Sequence, residues 1–235
     1  MAALTGHAPT VVDLATSEVR ALNAALHDPT SATAGSRWLV ANPQGRHNLA
    51  VGVDQELEVV IQGHAGYYCA GMNQHAQVMV EGNAGVGVAE NMMSGRVHVR
   101  GNASQSAGAT AHGGLLVIDG DAAARCGISM KGVDIVVGGS VGHMSAFMAQ
   151  AGRLVICGDA GDGLGDSLYE ARIYLAGSPR SLGADCIEKP VRAEHLSELA
   201  GLLRAAGRPE DPESFRRFGS ARQLYSFHVD NAGSY

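Results

Sequence analysis

Seven glycines set the frame of this chain. Gly63, Gly82, Gly101, Gly120, Gly139, Gly158 and Gly177 stand 19 residues apart. A period near 20 residues, sustained over seven units, is the mark of a solenoid in which each unit is one turn stacked on the next. Four residues before each glycine come Val59, Val78, Val97, Leu116, Ile135, Leu154 and Ile173. Two before it come Ile61, Val80, Val99, Ile118, Val137, Ile156 and Leu175. Polar residues such as Glu58, Gln77, Arg96, Gln62, Glu81 and Arg100 flank them. That alternation gives one short strand per turn, with two aliphatics facing inward. The fold expected is all-β: a single-stranded parallel β-helix of about seven coils of 19 residues. Parallel crossovers make right-handed winding the expected hand.

The columns after the strand describe a corner. Glycine permits positive φ there at no steric cost. His64, Asn83, Asn102, Asp121, Ser140, Asp159 and Ser178 follow it, residue types that bond turn backbones locally. An almost uniform alanine column comes next (Ala65, Ala84, Ala103, Ala122, then Val141, Ala160 and Pro179), so the corner packs tightly. The remaining half of each turn is looser and reads as a second, and even a third, short strand.

Three segments result: an N-terminal arm, helix and lead-in strand over 1–50, the β-helix over 51–187, and a C-terminal helix and tail over 188–235. Residues 1–15 read as a loose arm. In 17–27, Val19, Leu22 and Leu26 share one helical face, ended by Asp28-Pro29. In 193–206, Leu196, Leu199, Leu202 and Leu203 share another, stopped by Gly207. That second helix is expected to cap the open end of the stack. The tail beyond it reads as irregular. Its Phe215, Phe218, Leu224, Tyr225 and Phe227 either fold back or bind a partner.

Composition narrows the function classes. Net charge is −6 and no basic stripe argues for nucleic acid or an anionic membrane surface. No window reaches about 18 uninterrupted apolar residues, and no leader pattern opens the chain, so a cytoplasmic protein is expected. Cys69 and Cys126 share a column three turns apart, about 14 Å at the strand spacing, beyond the roughly 7 Å between Cα atoms that a disulfide spans. All four cysteines are expected to be buried apolar residues.

Chemistry-bearing motifs are few. Gly161-Asp-Gly-Leu-Gly165 spells GxGxG, but it follows a solenoid strand instead of opening a βαβ unit, so a dinucleotide reading fails. His75 and His112 fall in neighbouring columns two turns apart, too far to share one metal easily. No column clusters acids on an outer groove, and aromatics, at 5%, are too few for a sugar-stacking platform. No catalytic, cofactor-binding or metal-ligating residue is therefore assigned. Arg125, Lys131 and His143 fall on the looser side of adjacent coils, as a solvated face or as a subunit contact or channel rim.

Five strings carry a resemblance: Gly63-His-Ala-Gly-Tyr-Tyr-Cys-Ala-Gly-Met-Asn73, Gly127-Ile-Ser-Met-Lys-Gly132, 142–150 (GHMSAFMAQ), 158–166 (GDAGDGLGD) and 183–189 (GADCIEK). Over roughly residues 37–200 the chain resembles the GXGXG-domain family, which includes the C-terminal β-helix of glutamate synthase large subunits. As a free-standing chain it is most similar to the middle subunits of N-methylglutamate synthases (methylamine–glutamate N-methyltransferases). The alternatives within the resemblance are a subunit of another glutamate-synthase-like amidotransferase or, more distantly, the C subunit of a formylmethanofuran dehydrogenase. The resemblance implies a non-catalytic scaffold within a hetero-oligomer. Its partners would be a class-II amidotransferase-like subunit and an FMN-dependent synthase-like subunit, and FMN and an iron–sulfur cluster would sit on the latter. A reading from another class is a stand-alone β-helix that binds or acts on carbohydrate.

Overall fold

The glycines do line up, and the strand before each is one rung of a ladder. The computed structural model describes residues 8–223. Its strands are β1 (Thr10–Asp13), β2 (Arg37–Ala41), β3 (Glu58–Ile61), β4 (Gln77–Val80), β5 (Arg96–Val99), β6 (Leu115–Ile118), β7 (Lys131–Val137), β8 (Ala151–Ile156), β9 (Arg172–Leu175), β10 (Cys186–Lys189) and β11 (Arg216–Ser220). Its helices are α1 (Val19–His27) and α2 (Ala193–Ala206). From β1 to β9 each strand pairs in parallel with the next. Val59, Val78, Val97, Leu116, Ile135, Leu154 and Ile173 stack in one register. The fold is a parallel β-helix, as the period predicts.

Neither inward column is more than 2% exposed at any rung. Burying each such aliphatic is worth roughly 1.5–3 kcal/mol relative to leaving it in water. Just past the glycine corner the alanine column forms single-residue parallel bridges, Ala65 to Ala84 and onward to Pro179.

The corner works differently from the expectation. Only Gly63 of the seven glycines has positive φ, at 140°. The others are needed for close approach. A Cβ on Gly120 would stand 2.1 Å from Oδ1 of Asn102, and one on Gly139 would stand 2.1 Å from Oδ1 of Asp121. The polar column does not bond locally either. Each side chain from His64 to Asp159 accepts the backbone N–H of its equivalent one turn later. Asn83 N donates to His64 Nδ1 at 2.9 Å, Asn102 N to Asn83 Oδ1 at 2.9 Å, and Asp121 N to Asn102 Oδ1 at 2.9 Å. Ser140, Asp159 and Ser178 continue the series. A side chain crossing to the next turn at that point leaves no room for a Cβ beside it.

Among the described residues the looser half-turn holds no strand, only an isolated bridge between Leu164 and Leu182. Its backbone alternates into the left-handed region: Tyr68 (φ 59°), Ala70 (φ 53°) and Met72 (φ 55°) in one turn, Met144 (φ 56°), Ala146 (φ 57°) and Met148 (φ 52°) in another. This conformation costs an L-residue roughly 1–2 kcal/mol. Hydrogen bonds between turns offset it, since Tyr68 N donates to Val86 O, Ala70 N to Leu49 O and Met72 N to Glu90 O. Tyr, Ala and Met give no sequence signal of positive φ, whereas Gly and Asn would have.

The ends also depart from expectation. Residues 10–13 of the supposed arm form β1, hydrogen-bonded to β2. Leu22 and Leu26 of α1 join Leu14, Val40, Leu49 and Val53 in the core at the N-terminal end. Helix α2 does not cap the stack. It lies on the outward face of the sheet, where Leu199, Leu203 and Ala206 bury Val117, Val136, Val155 and Tyr174. Strand β11 closes the C-terminal end, inserted antiparallel between β9 and β10. Its Phe218 enters the main core and Phe215 packs under α2. Leu224, Tyr225 and Phe227 lie outside the described residues.

Candidate functional site

Polar groups on the outward face of the sheet mostly secure α2. Arg153 reaches Asp134 Oδ1 at 2.9 Å and Glu198 Oε2 at 3.0 Å. Arg172 reaches Glu198 Oε2 at 2.8 Å, and the Tyr174 hydroxyl donates to Glu198 Oε1 at 2.7 Å. Burial raises the Glu198 carboxyl, but the Tyr174 hydrogen bond and the Arg153 and Arg172 charges outweigh it, so its pKa is lowered. Toward the other end of the helix, Arg96 Nη1 donates to Ala205 O at 2.7 Å. Beside it His98 Nε2 meets Asp119 Oδ1 at 2.9 Å.

Burial holds the cysteine thiols above their ordinary range. Burial pushes Cys69 and Cys126 up to about 12, and burial with the Asp185 and Asp166 charges does the same to Cys186. Cys157 corrects the expectation of four buried thiols. It is half-buried on the outward face beside Arg208 and Glu210. Burial foremost, then the Glu210 charge, pushes it up to about 11. Among the described residues no three His, Cys, Asp or Glu side chains come together as a metal site.

The left-handed turn edge is an exposed face. Arg125 and His143 are brought together there on neighbouring turns, with Arg125 N donating to His143 O at 2.9 Å. His143 lines a shallow depression with Met144, Asp162 and Arg180. Lys131 opens β7, opposite Ala151, and no hydrogen bond among the described residues joins it to the other two. All three side chains are exposed.

Composition alone did not reveal a second group on the same edge. Tyr67 is 47% exposed, Met72 45%, Val86 40% and Met93 48%. Tyr67 stacks on Tyr68 with centroids 5.6 Å apart, and His47 meets its edge at 6.3 Å. Tyr68 N bonds Val86 O and Met72 N bonds Glu90 O, so these residues occupy adjacent turns. Burial raises the Glu90 carboxyl within this group. The available signal was Tyr67 and Val86 in a column where later turns carry Gln105 and His143. Their exposure leaves apolar side chains facing water on adjacent turns.

Fold and surface define a parallel β-helix protein with exposed apolar and polar side chains along its turn edge. The chain is 58% identical over 226 residues to Protein GlxC of Rhizobium meliloti (strain 1021), spanning 96% of this chain and 99% of that protein. It belongs to the GlxC family. No family model matches it, and no solved structure does. No helix among the described residues is long and apolar enough to cross a membrane.

Proposed function

We propose that this chain is a non-catalytic structural subunit of a glutamate-synthase-like enzyme of the cytoplasm. The enzyme best supported is an N-methylglutamate synthase, converting methylamine and L-glutamate to N-methyl-L-glutamate and ammonia. The observation that carries the proposal is the exposed apolar group Tyr67, Met72, Val86 and Met93 on the edge of a stiff stack. A rod with both inward columns filled has no interior for a substrate, but it can hold two larger bodies at a fixed distance. The resemblance of the corner motifs to GXGXG domains supplies the kind of body. One is a class-II amidotransferase-like subunit and the other a synthase-like subunit carrying FMN and an iron–sulfur cluster. Arg125, Lys131 and His143 are the polar contacts proposed for the same edge, as partner contacts or the rim of a channel for ammonia or methylamine.

Co-expression with the neighbouring genes tests this. The tagged chain is expected to recover two larger subunits, and the complex to turn over methylamine and glutamate. A Tyr67→Ser, Val86→Ser variant is expected to keep its melting temperature and lose the partners. Turnover by the isolated chain, or partner capture unaffected by these substitutions, overturns the proposal.

A further inference from the structure

A second concave surface lies at the C-terminal end of the stack, where β9, β10, β11 and the start of α2 meet. This pocket of about 490 Å³ is lined by Arg172, Lys189, Arg192, His195, Arg217 and Arg222, among others. Five of these side chains are cations, while the lining includes a single carboxylate, Glu170.

Pairing accounts for three of the charges. Arg222 meets Glu170 at 2.9 Å, Arg172 meets Glu198 at 2.8 Å, and Arg192 lies 3.7 Å from Glu194. Lys189 and Arg217 remain without a carboxylate partner among the described residues. They stand directly opposite each other in the antiparallel pair of β10 and β11. Like charges in that relation destabilise a sheet. Arg217 is held in place by its Nε, which donates to Pro190 O at 3.1 Å. Burial foremost lowers its pKa; the Arg172 and Arg192 charges add to the effect, while Tyr174 and the Glu194 carboxylate oppose it. Gly219 leaves the floor beside the Lys189 stem bare.

His195 adds a neutral donor. It is only 8% exposed, and its Nδ1 accepts the Arg192 backbone N–H at 3.1 Å. The ring proton therefore sits on Nε2. Burial foremost, then the Arg217 charge, lowers its pKa, so the ring adds a hydrogen bond rather than a further charge.

We infer that this pocket binds a small, doubly charged oxyanion, a dicarboxylate or a phosphate, between Lys189 and Arg217. Two half-buried cations facing each other are costly until an anion lies between them, and charge-assisted hydrogen bonds then stabilise all three groups. The pocket has the size of a metabolite site. The inference does not depend on the scaffold reading, because it concerns the isolated chain and a different surface.

Calorimetric titration of the full chain with inorganic phosphate and with succinate, against sodium chloride at matched ionic strength, tests it. One of the two anions is expected to bind saturably and raise the melting temperature, and which one does so distinguishes phosphate from carboxylate. Arg217→Ala and Lys189→Ala are each expected to weaken binding about tenfold or more, the loss of one charged hydrogen bond. Without anion, Lys189→Ala is expected to melt at or above the wild-type temperature, since it removes the facing charge. The His195 imidazole resonances are expected to shift during titration of the wild type. No saturable binding, equal binding by the variants, or tighter binding of an acidic hexapeptide than of either small anion overturns the inference.

Discussion

Asn102 and Gly120 show what one residue contributes to a stacked turn. Asn102 Oδ1 accepts the Asp121 backbone N–H at 2.9 Å, and a Cβ on Gly120 would stand 2.1 Å from that same oxygen. Asn102→Ala is expected to cost about 1 kcal/mol, one neutral hydrogen bond at an exposed corner. Gly120→Ala is expected to cost more, about 2 kcal/mol, because it forces atoms apart in a packed corner. The double variant is expected to lose less than the sum, since removing the Asn102 side chain removes the closest clash; the Gly101 carbonyl at 3.0 Å remains. Denaturant melts of the four proteins check this, and strict additivity would mean that the glycine serves the backbone alone. The spacing of the glycines was legible from sequence, but their purpose was not. Positive φ and close approach both call for glycine, and only coordinates show that here the glycine faces a neighbouring turn's side chain.

At the scale of elements, α2 was legible as a helix and misplaced. Its stripe of leucines shows that one face is buried, without saying against what. The answer was in the middle column of the strands, where Val117, Val136, Val155 and Tyr174 point outward and are apolar. An outward apolar column over four rungs requires a cover, and α2 is the cover. Glu198 joins the two through Tyr174, Arg153 and Arg172. Its carboxyl is lowered in the folded chain, so the stability it contributes is present above the unfolded carboxylate pKa and is lost as pH falls through the folded value. Glu198→Gln is therefore expected to cost about 2 kcal/mol at pH 7, the scale of a charged hydrogen bond. The gap to wild type should close as pH falls below the ordinary carboxylate range. Melts from pH 7 to acid check it, and a gap that persists in acid would assign the loss to packing instead.

For the whole molecule, the stack has two unlike ends and an exposed turn edge. The period made the β-helix legible, because each turn repeats the same inward pair. The exposed edge was half legible. Arg125 and His143 were found from their columns, while Tyr67, Val86 and their neighbours passed unmarked because exposure in a left-handed turn has no period of its own. The C-terminal end was read as a tail because β11 breaks the repeat and runs antiparallel. Phe218, 1% exposed, anchors that strand in the core at the end of the stack. Stability in a solenoid is close to a sum of turns and their interfaces, so damage at one end should stay there. Phe218→Ala is expected to cost about 3–5 kcal/mol locally and to free the β9 edge that β11 covers. Hydrogen exchange is the discriminating measurement. Amides of β9 and β11 should lose protection while those of β3 and β4 keep theirs, and equal loss along the whole ladder would mean that the turns unfold as one unit.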